Sequence, residues 1–223
     1  MAKANIKLQE LTASYEKRIY DLEQMLDISR SFCSTLEASK LLESIIFSCM
    51  AQMHVIDAGI FVLDTLNSDF FVLETSQIIL ETQTDNKYRI PFGDPVVSIL
   101  MEEKRPLTLE YIEKKCAEDS ETIELLRSMH SSLIIPLILK NHINGILFLG
   151  ERLIFDSDAD AAYTDYEKAQ ILTIASLASI AINNSVLLER SSTDMMTKLK
   201  LKYFFFNSLT EKLDAAMVQK QPL

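Results

Sequence analysis

The chain has 223 residues, 48% of them hydrophobic, enough to bury one good core with helical extensions. Its net charge of −10, from 22 basic and 32 acidic residues, argues against general nucleic-acid binding, which needs clustered Lys and Arg to neutralise phosphates. With only four glycines, Gly-rich phosphate loops are disfavoured.

No apolar run reaches the roughly 18 residues that span a bilayer. The longest are "ILTIASLASIAI" (171–182) and "LIIPLIL" (133–139), so no membrane span is expected. The opening "MAKANIKLQELTASYEKR" has no hydrophobic signal core. Cys33, Cys49 and Cys116 are odd in number and far apart, as reduced thiols in a cytoplasm would be. A cytoplasmic protein is expected.

The first predicted element is one unbroken helix. Leu8, Leu11, Tyr15, Ile19, Leu22 and Leu26 recur at spacings of three and four as one apolar stripe, while Glu10, Glu16, Lys17, Arg18, Asp21 and Glu23 suit a solvated face. The stripe has no evident partner in the chain, so it predicts a parallel coiled coil with a second copy; the alternative is a helix folded back on its own domain. "SFCSTLEASKLLESIIFSCMAQMH" predicts a second helix, with Ser34 and Glu37 as a capping box and Leu41, Leu42, Ile45, Ile46, Cys49 and Met53 on its buried side. Cys33 and Cys49 are expected to be buried packing.

The hydrophobic period then changes. "AGIFVLD" (58–64) and "DFFVLETSQ" (69–77) read as a hairpin, and "YRIPFGDP" (88–95) as a third strand ending in a turn. "VVSILMEEKRPL" predicts a short helix stopping before Pro106, with Asp94 as its N-cap and Pro95 at its first position. "EYIEKKCAEDSETIELLRSMH" reads as polar helix, and "SSLIIPLIL" and "NGILFLGER" as a second hairpin joined at "KNHI". Thr164 and Glu167 form a capping box that opens a long helix. Five or six antiparallel strands interleaved with helices define an α+β module flanked by long N- and C-terminal helices.

No reacting constellation stands out. His54, His130 and His142 lack any paired-ligand spacing, no CxxC is present, and no GxSxG motif supports a nucleophile. Asp156, Asp158 and Asp160 alternate as in a calcium loop, but the glycine and distal Glu are missing, so a solvated loop is the better reading. No metal site and no catalytic residues are expected in this chain.

Residues 36–190 resemble a GAF domain. The pieces stand in that family's order: "LEASKLLESIIFSCMAQM", "AGIFVLD", "YRIPFGDPVVSILMEEKRPLTL", "SLIIPLILKNHINGILFLGER" and "FDSDADAAYTDYEKAQILTIASLASIAINNSVLLE". The resemblance implies a central antiparallel sheet flanked by helices, dimerisation through the terminal helices, and a small-molecule pocket between the sheet and the helices following Tyr88 and Cys116. Gly59 and Phe61 on the first strand, Leu73 and Glu74 on the second, and Phe92, Gly93, Asp94, Val97, Thr122, Leu125, Met129 and Ser131 would enclose a purine. The start of the helix after Asp94 would offer backbone N–H groups to a cyclic phosphate. The ligand favoured on this basis is a cyclic nucleotide, cAMP. The Asn-Lys…Phe…Asp-Glu signature of phosphodiesterase-type GAF domains is not matched, since Asn86-Lys87 lie in the wrong context, just before the third strand. Cys116 is followed by Ala in a charged stretch, which disfavours a bilin, and a sulfoxide-reductase reading lacks its cysteine cluster. The alternative is a ligand-free GAF module for dimerisation and relay.

The closing "STDMMTKLKLKYFFFNSLTEKLDAAMVQKQPL" resembles the entry of a GGDEF domain, the diguanylate cyclase module. Asp194, Met196, Thr197, Leu199 and Phe206 keep the frame of D-x-L-T-G-L-x-N-R-x-x-F, while Lys198, Leu201 and Lys202 depart from it. The implied organisation is a coiled-coil helix (1–35), a GAF domain (36–190), and a linker with the first helix of a truncated GGDEF domain (191–223). The catalytic residues would lie beyond Leu223, and that first helix would be left with its aromatic face exposed.

Overall fold

A computed structural model describes residues 2–35, 37–63, 69–76, 88–116, 120–153, 162–192, 197, 199 and 201–219. The Asp156–158–160 run, Asn86-Lys87, Asp194 and Met196 lie outside the described residues, as do the side chains of Leu8, Tyr203 and Phe204. Among the described residues the fold is α+β, with seven helices and six strands. The chain divides into two compact units, Met1–Ile182 and Asn183–Leu223.

In the first unit the strands are β1 (Ala58–Leu63), β2 (Phe70–Ser76), β3 (Arg89–Pro91), β4 (Leu107–Thr108), β5 (Leu133–Leu139) and β6 (His142–Leu149). They form one antiparallel sheet in the order β3-β2-β1-β6-β5-β4. The β5–β6 hairpin turns on Lys140 and Asn141, both at positive φ (48° and 65°), as a two-residue turn that follows strand twist demands. The two-residue β4 was not expected from sequence.

The sheet separates two apolar clusters because side chains alternate along each strand. On one face Ala58, Ile60, Leu133, Ile135, Leu137, Leu147 and Leu149 pack under three helices: α1 (Ala2–Ser34), α2 (Ala38–Met53) and α6 (Asp165–Ser192). On the other, Phe61, Phe71, Ile134, Ile143, Ile146 and Phe148 pack under α3 (Pro95–Glu103), α4 (Leu109–Lys115) and α5 (Glu121–Ser128). The polar helix expected over 110–130 is thus two short helices, α4 ending at Lys115 with Cys116 as its C-cap and α5 beginning on the Ser120 cap.

The helix α1 seats only its C-terminal portion. Met25, Ile28 and Phe32 pack against the first cluster, whereas Leu11, Tyr15, Ile19, Leu22 and Leu26 are exposed, Leu22 at 65%. The stripe read from spacing is therefore the outward face. Because α1 continues through Ser34 to seat Phe32, the Ser34–Glu37 capping box does not form. Ser34 Oγ donates to the Ser31 carbonyl, and Glu37 caps α2 without a side-chain bond. Cys33, expected to be buried, is exposed; Cys49 is buried, and burial pushes its thiol up to about 12.

The helix α6 is, against the sequence expectation, long and apolar enough to cross a bilayer by length and composition. Its apolar residues Ile171, Ile174, Ala175, Ala178, Ala181 and Ile182 belong to the core under the sheet, which accounts for the run as packing within the fold. The Thr164–Glu167 box does form: Thr164 N–H donates to Glu167 Oε2 at 2.8 Å and Glu167 N–H to Thr164 Oγ1 at 3.2 Å. Arg152 bonds Glu167 and lies 5.2 Å over the Tyr163 ring. Burial alone would raise the Glu167 carboxyl, but the Thr164 bonds and Arg152 outweigh it and hold it low.

In the second unit, α7 (Lys202–Gln219) begins after Leu201, whose N–H donates to the Ser192 carbonyl at 2.8 Å. Phe205 and Phe206 meet edge to face at 5.6 Å and are both exposed, with Leu213 and Met217 also turned to solvent.

Candidate ligand site

The site begins where β3 enters α3. Phe92 N–H donates to the Asp69 carbonyl at 2.7 Å and Asp94 N–H to the Pro91 carbonyl at 3.0 Å, closing a tight turn. Asp94 then caps α3, with Pro95 at the first position as its fixed φ favours. Its Oδ1 accepts from Val96 N–H at 2.8 Å, and its Oδ2 accepts from Thr122 Oγ1 at 2.6 Å. One carboxylate therefore stitches the start of α3 to α5 across 28 residues of sequence.

This geometry changes the expected anion site. The first amide of α3 that an incoming phosphate would seek already donates to Asp94, and the carboxylate puts a negative charge where the helix dipole favours one. A second anion placed there would meet both a filled donor and like charge.

The apolar portion of the expected site is real as packing. Phe61, Val97 and Met129 are buried in the second cluster, with Leu73 and Leu125 partly buried against it. The Phe61 ring stands 5.8 Å from Phe148, tilted by 51°. Gly59 is buried beside Phe61 on β1 and pairs with Phe148 of β6. Phe92 stacks on Phe71 at 5.8 Å but is 47% exposed. Glu74 is solvent-facing, at a bulge where Phe61 pairs with Leu73 and Ile60 with Thr75. Gly93 adopts no positive φ and faces open space, so no conformational need for glycine exists there.

Two buried polar groups remain on this side, and they differ. Thr122 is 2% exposed and satisfied by Asp94. Ser131 is 5% exposed; its N–H donates to the Leu126 carbonyl at 3.1 Å, yet its hydroxyl has no protein partner. An unmatched buried hydroxyl costs on the order of 1–3 kcal/mol, so it marks a place where a ligand or water atom would be stabilising. Phe71 and Phe148 line the same cluster and were missed; the apolar runs "FFVL" of β2 and "ILFL" of β6 mark them as buried strand residues, but such continuous runs do not show which face each one takes. Cys116, at the end of α4, feels both burial and the Asp94 charge, which together raise its thiol.

A second polar cluster ties α3 to α4. Glu103 accepts from Lys115 Nζ at 2.5 Å, from the Tyr111 hydroxyl at 2.5 Å and from Arg105 Nε at 2.9 Å. Both Arg105 and Lys115 lie 5.1 Å from the centre of the Tyr111 ring. Lys115 foremost, then Tyr111 and Arg105, hold the Glu103 carboxyl down at about 2. Among the described residues no group of three or more His, Cys, Asp and Glu could hold a metal ion.

A six-stranded antiparallel sheet with short helices closing one face and long terminal helices on the other is the architecture of GAF domains. It matches the GAF domain of an Acinetobacter phosphoenolpyruvate-protein phosphotransferase with a TM-score of 0.54 at 14% identity, over 75% of this chain and 95% of that one. The corresponding domain from Coxiella burnetii gives 0.56 at 16% identity, over 75% and 95%. No family model matches the chain. By sequence, the chain is 39% identical over 209 residues to diguanylate cyclase A of Treponema denticola, covering 94% of this chain and 55% of that protein. This chain is a GAF-fold relative of a diguanylate cyclase and spans about half the length of that relative.

Proposed function

We propose that this chain is a small-molecule-binding sensory region that regulates a diguanylate cyclase output domain in cyclic di-GMP signalling, in the cytoplasm. The observation that carries the reading is the 39% identity to a diguanylate cyclase along 94% of a chain whose core has the GAF fold. The domain organisation we propose keeps residues 1–35 as signalling helix, 36–190 as GAF domain and 191–223 as entry to the cyclase domain. The ligand would sit against the α3–α5 face, near the unmatched Ser131 hydroxyl and the Phe61, Val97 and Met129 walls. Ligand binding can shift α6 only by the difference in its affinity for two poses. A cyclic nucleotide, cAMP first, is the ligand to test, with its phosphate placed away from the Asp94-capped helix start.

A ligand-free relay is the second reading, supported by the Asp94–Thr122 bond, which satisfies most of the polarity on this face from within. Calorimetric titration with cAMP, cGMP and AMP separates the two. Saturable heat with a cyclic nucleotide, abolished in Ser131→Val, supports the sensor; no heat with any of the three sinks cAMP as the ligand.

The dimer belongs to the same proposal. The exposed Tyr15, Ile19, Leu22 and Leu26 run beside a groove of about 320 Å³ between α1 and α6, which a second copy would fill. Light scattering on Leu22→Glu should report half the parent mass; an unchanged mass removes α1 from the interface.

A further inference from the structure

We infer that Asn144 and Ser179 form a polar key that holds α6 in one register on the sheet, making them positioning residues for the output helix. The contact is reciprocal. Ser179 Oγ donates to Asn144 Oδ1 at 2.8 Å, and Asn144 Nδ2 donates to the Ser179 carbonyl at 3.0 Å. Ser179 is fully buried.

Three features make this pair more than a stray hydrogen bond. First, Asn144 sits at a register shift in the β5–β6 ladder: Leu137 pairs with Gly145 and Ile138 with Ile143, leaving Asn144 between them without a cross-strand partner. A bulge of this kind re-aims one side chain, and here it delivers an amide to α6. Gly145 beside it permits the geometry, because a Cβ there would stand 2.8 Å from the Phe61 carbonyl oxygen and 2.9 Å from Leu137.

Second, the α6 face around Ser179 is smooth. Ala175, Ala178 and Ala181 are small, with Ile174 and Ile182 the larger neighbours, and burial of apolar surface is non-directional, so it sets the register less sharply than a directed hydrogen bond does. The buried Ser179 hydroxyl facing the half-buried Asn144 amide breaks that degeneracy, because a slipped helix would leave the hydroxyl unmatched in the core and the amide without its partner.

Third, the pair lies between the two sides of the fold. Ile143 and Ile146, which flank Asn144 and Gly145, belong to the α3–α5 cluster that also holds Phe61, while Ser179 lies in the last turn of α6 before the compact unit ends at Ile182. A change at the ligand face reaches α6 through this bulge. That use rests on the proposed ligand-binding sensor; the register itself does not.

The test is a spin-label distance measurement on the full chain without ligand. Glu124→Cys on α5 and Ser176→Cys on α6 are both exposed, with Cys33 and Cys116 replaced by Ser and Cys49 left buried. The parent should give one narrow distance. Ser179→Ala, which suits both helix and neighbouring alanines, should add a second population displaced by on the order of 5 Å, one helical turn. Asn144→Ala should do the same. Asn144→Ala removes both bonds, whereas Ser179→Ala leaves the Asn144 amide donating to the residue-179 carbonyl, so an unchanged single distance in a folded Asn144→Ala protein overturns the key, even if its Tm falls. Failure of nucleotide titration leaves this result untouched, so the two proposals fail separately.

Discussion

The two faces of the sheet are built on different principles. Under α1, α2 and α6 the packing is mainly aliphatic, long helix on strand, with few polar ties such as Asn144–Ser179 and Ser132–Tyr163. Under α3, α4 and α5 the helices are seven to nine residues long, three phenylalanines stand on the strands, and buried hydroxyls accompany them. Long amphipathic helices stabilise by area alone. Short ones depend on caps and side-chain ties such as Asp94–Thr122 and the Glu103 cluster, so their face can loosen locally without unfolding the other.

The largest effect expected on this contrast is from Phe61→Ala. If Phe61 is packed core, the substitution should cost about 3–5 kcal/mol in denaturant unfolding, comparable with a large-to-small change at Ile45 on the opposite face. A loss below about 1 kcal/mol would mean that the ring borders an open cavity. Smaller, about 1–2 kcal/mol, is the expected cost of Asp94→Ala, which removes the α3 cap and strands the Thr122 hydroxyl. Asp94→Asn keeps an acceptor for Val96 and should cost less; equal losses would detach the effect from capping.

The smallest effect is pH-dependent. The Glu103 carboxyl is held at about 2, against 4.5 ordinarily, by Lys115 first and then Tyr111 and Arg105. A depressed carboxyl stabilises the fold fully above its ordinary value and loses that contribution as pH falls from 4.5 toward 2. The Tm of the parent should therefore exceed that of Glu103→Gln at pH 7, with the gap closing toward pH 2. A gap independent of pH would assign the tie to packing rather than charge.

Local chemistry was legible in the sequence where partners lie close along the chain. The Asp94–Pro95 helix start, the Thr164–Glu167 box and both hairpins all follow from residues a few positions apart. Boundaries set by tertiary packing were not. Nothing near Ser34 announces that α1 runs on to seat Phe32, nor does the polarity of 110–130 show that Ser120 starts a new helix. The candidate site divides the same way. Its apolar walls follow from the apolar strand runs, but the capture of Asp94 Oδ2 by Thr122 and the solitary Ser131 hydroxyl depend on contacts that no spacing encodes.

The partial seating of α1 has a mechanical consequence. With Met25, Ile28 and Phe32 held in the core and the Tyr166 hydroxyl bonded to Asp21, the helix is a rod clamped near one end. At about 1.5 Å rise per residue, the Ala2 end stands about 35 Å beyond Met25, so a tilt of about 5° at the clamp swings it by about 3 Å. Lever arms of this kind turn side-chain-sized rearrangements at a pivot into displacements large enough to separate one packed surface from another.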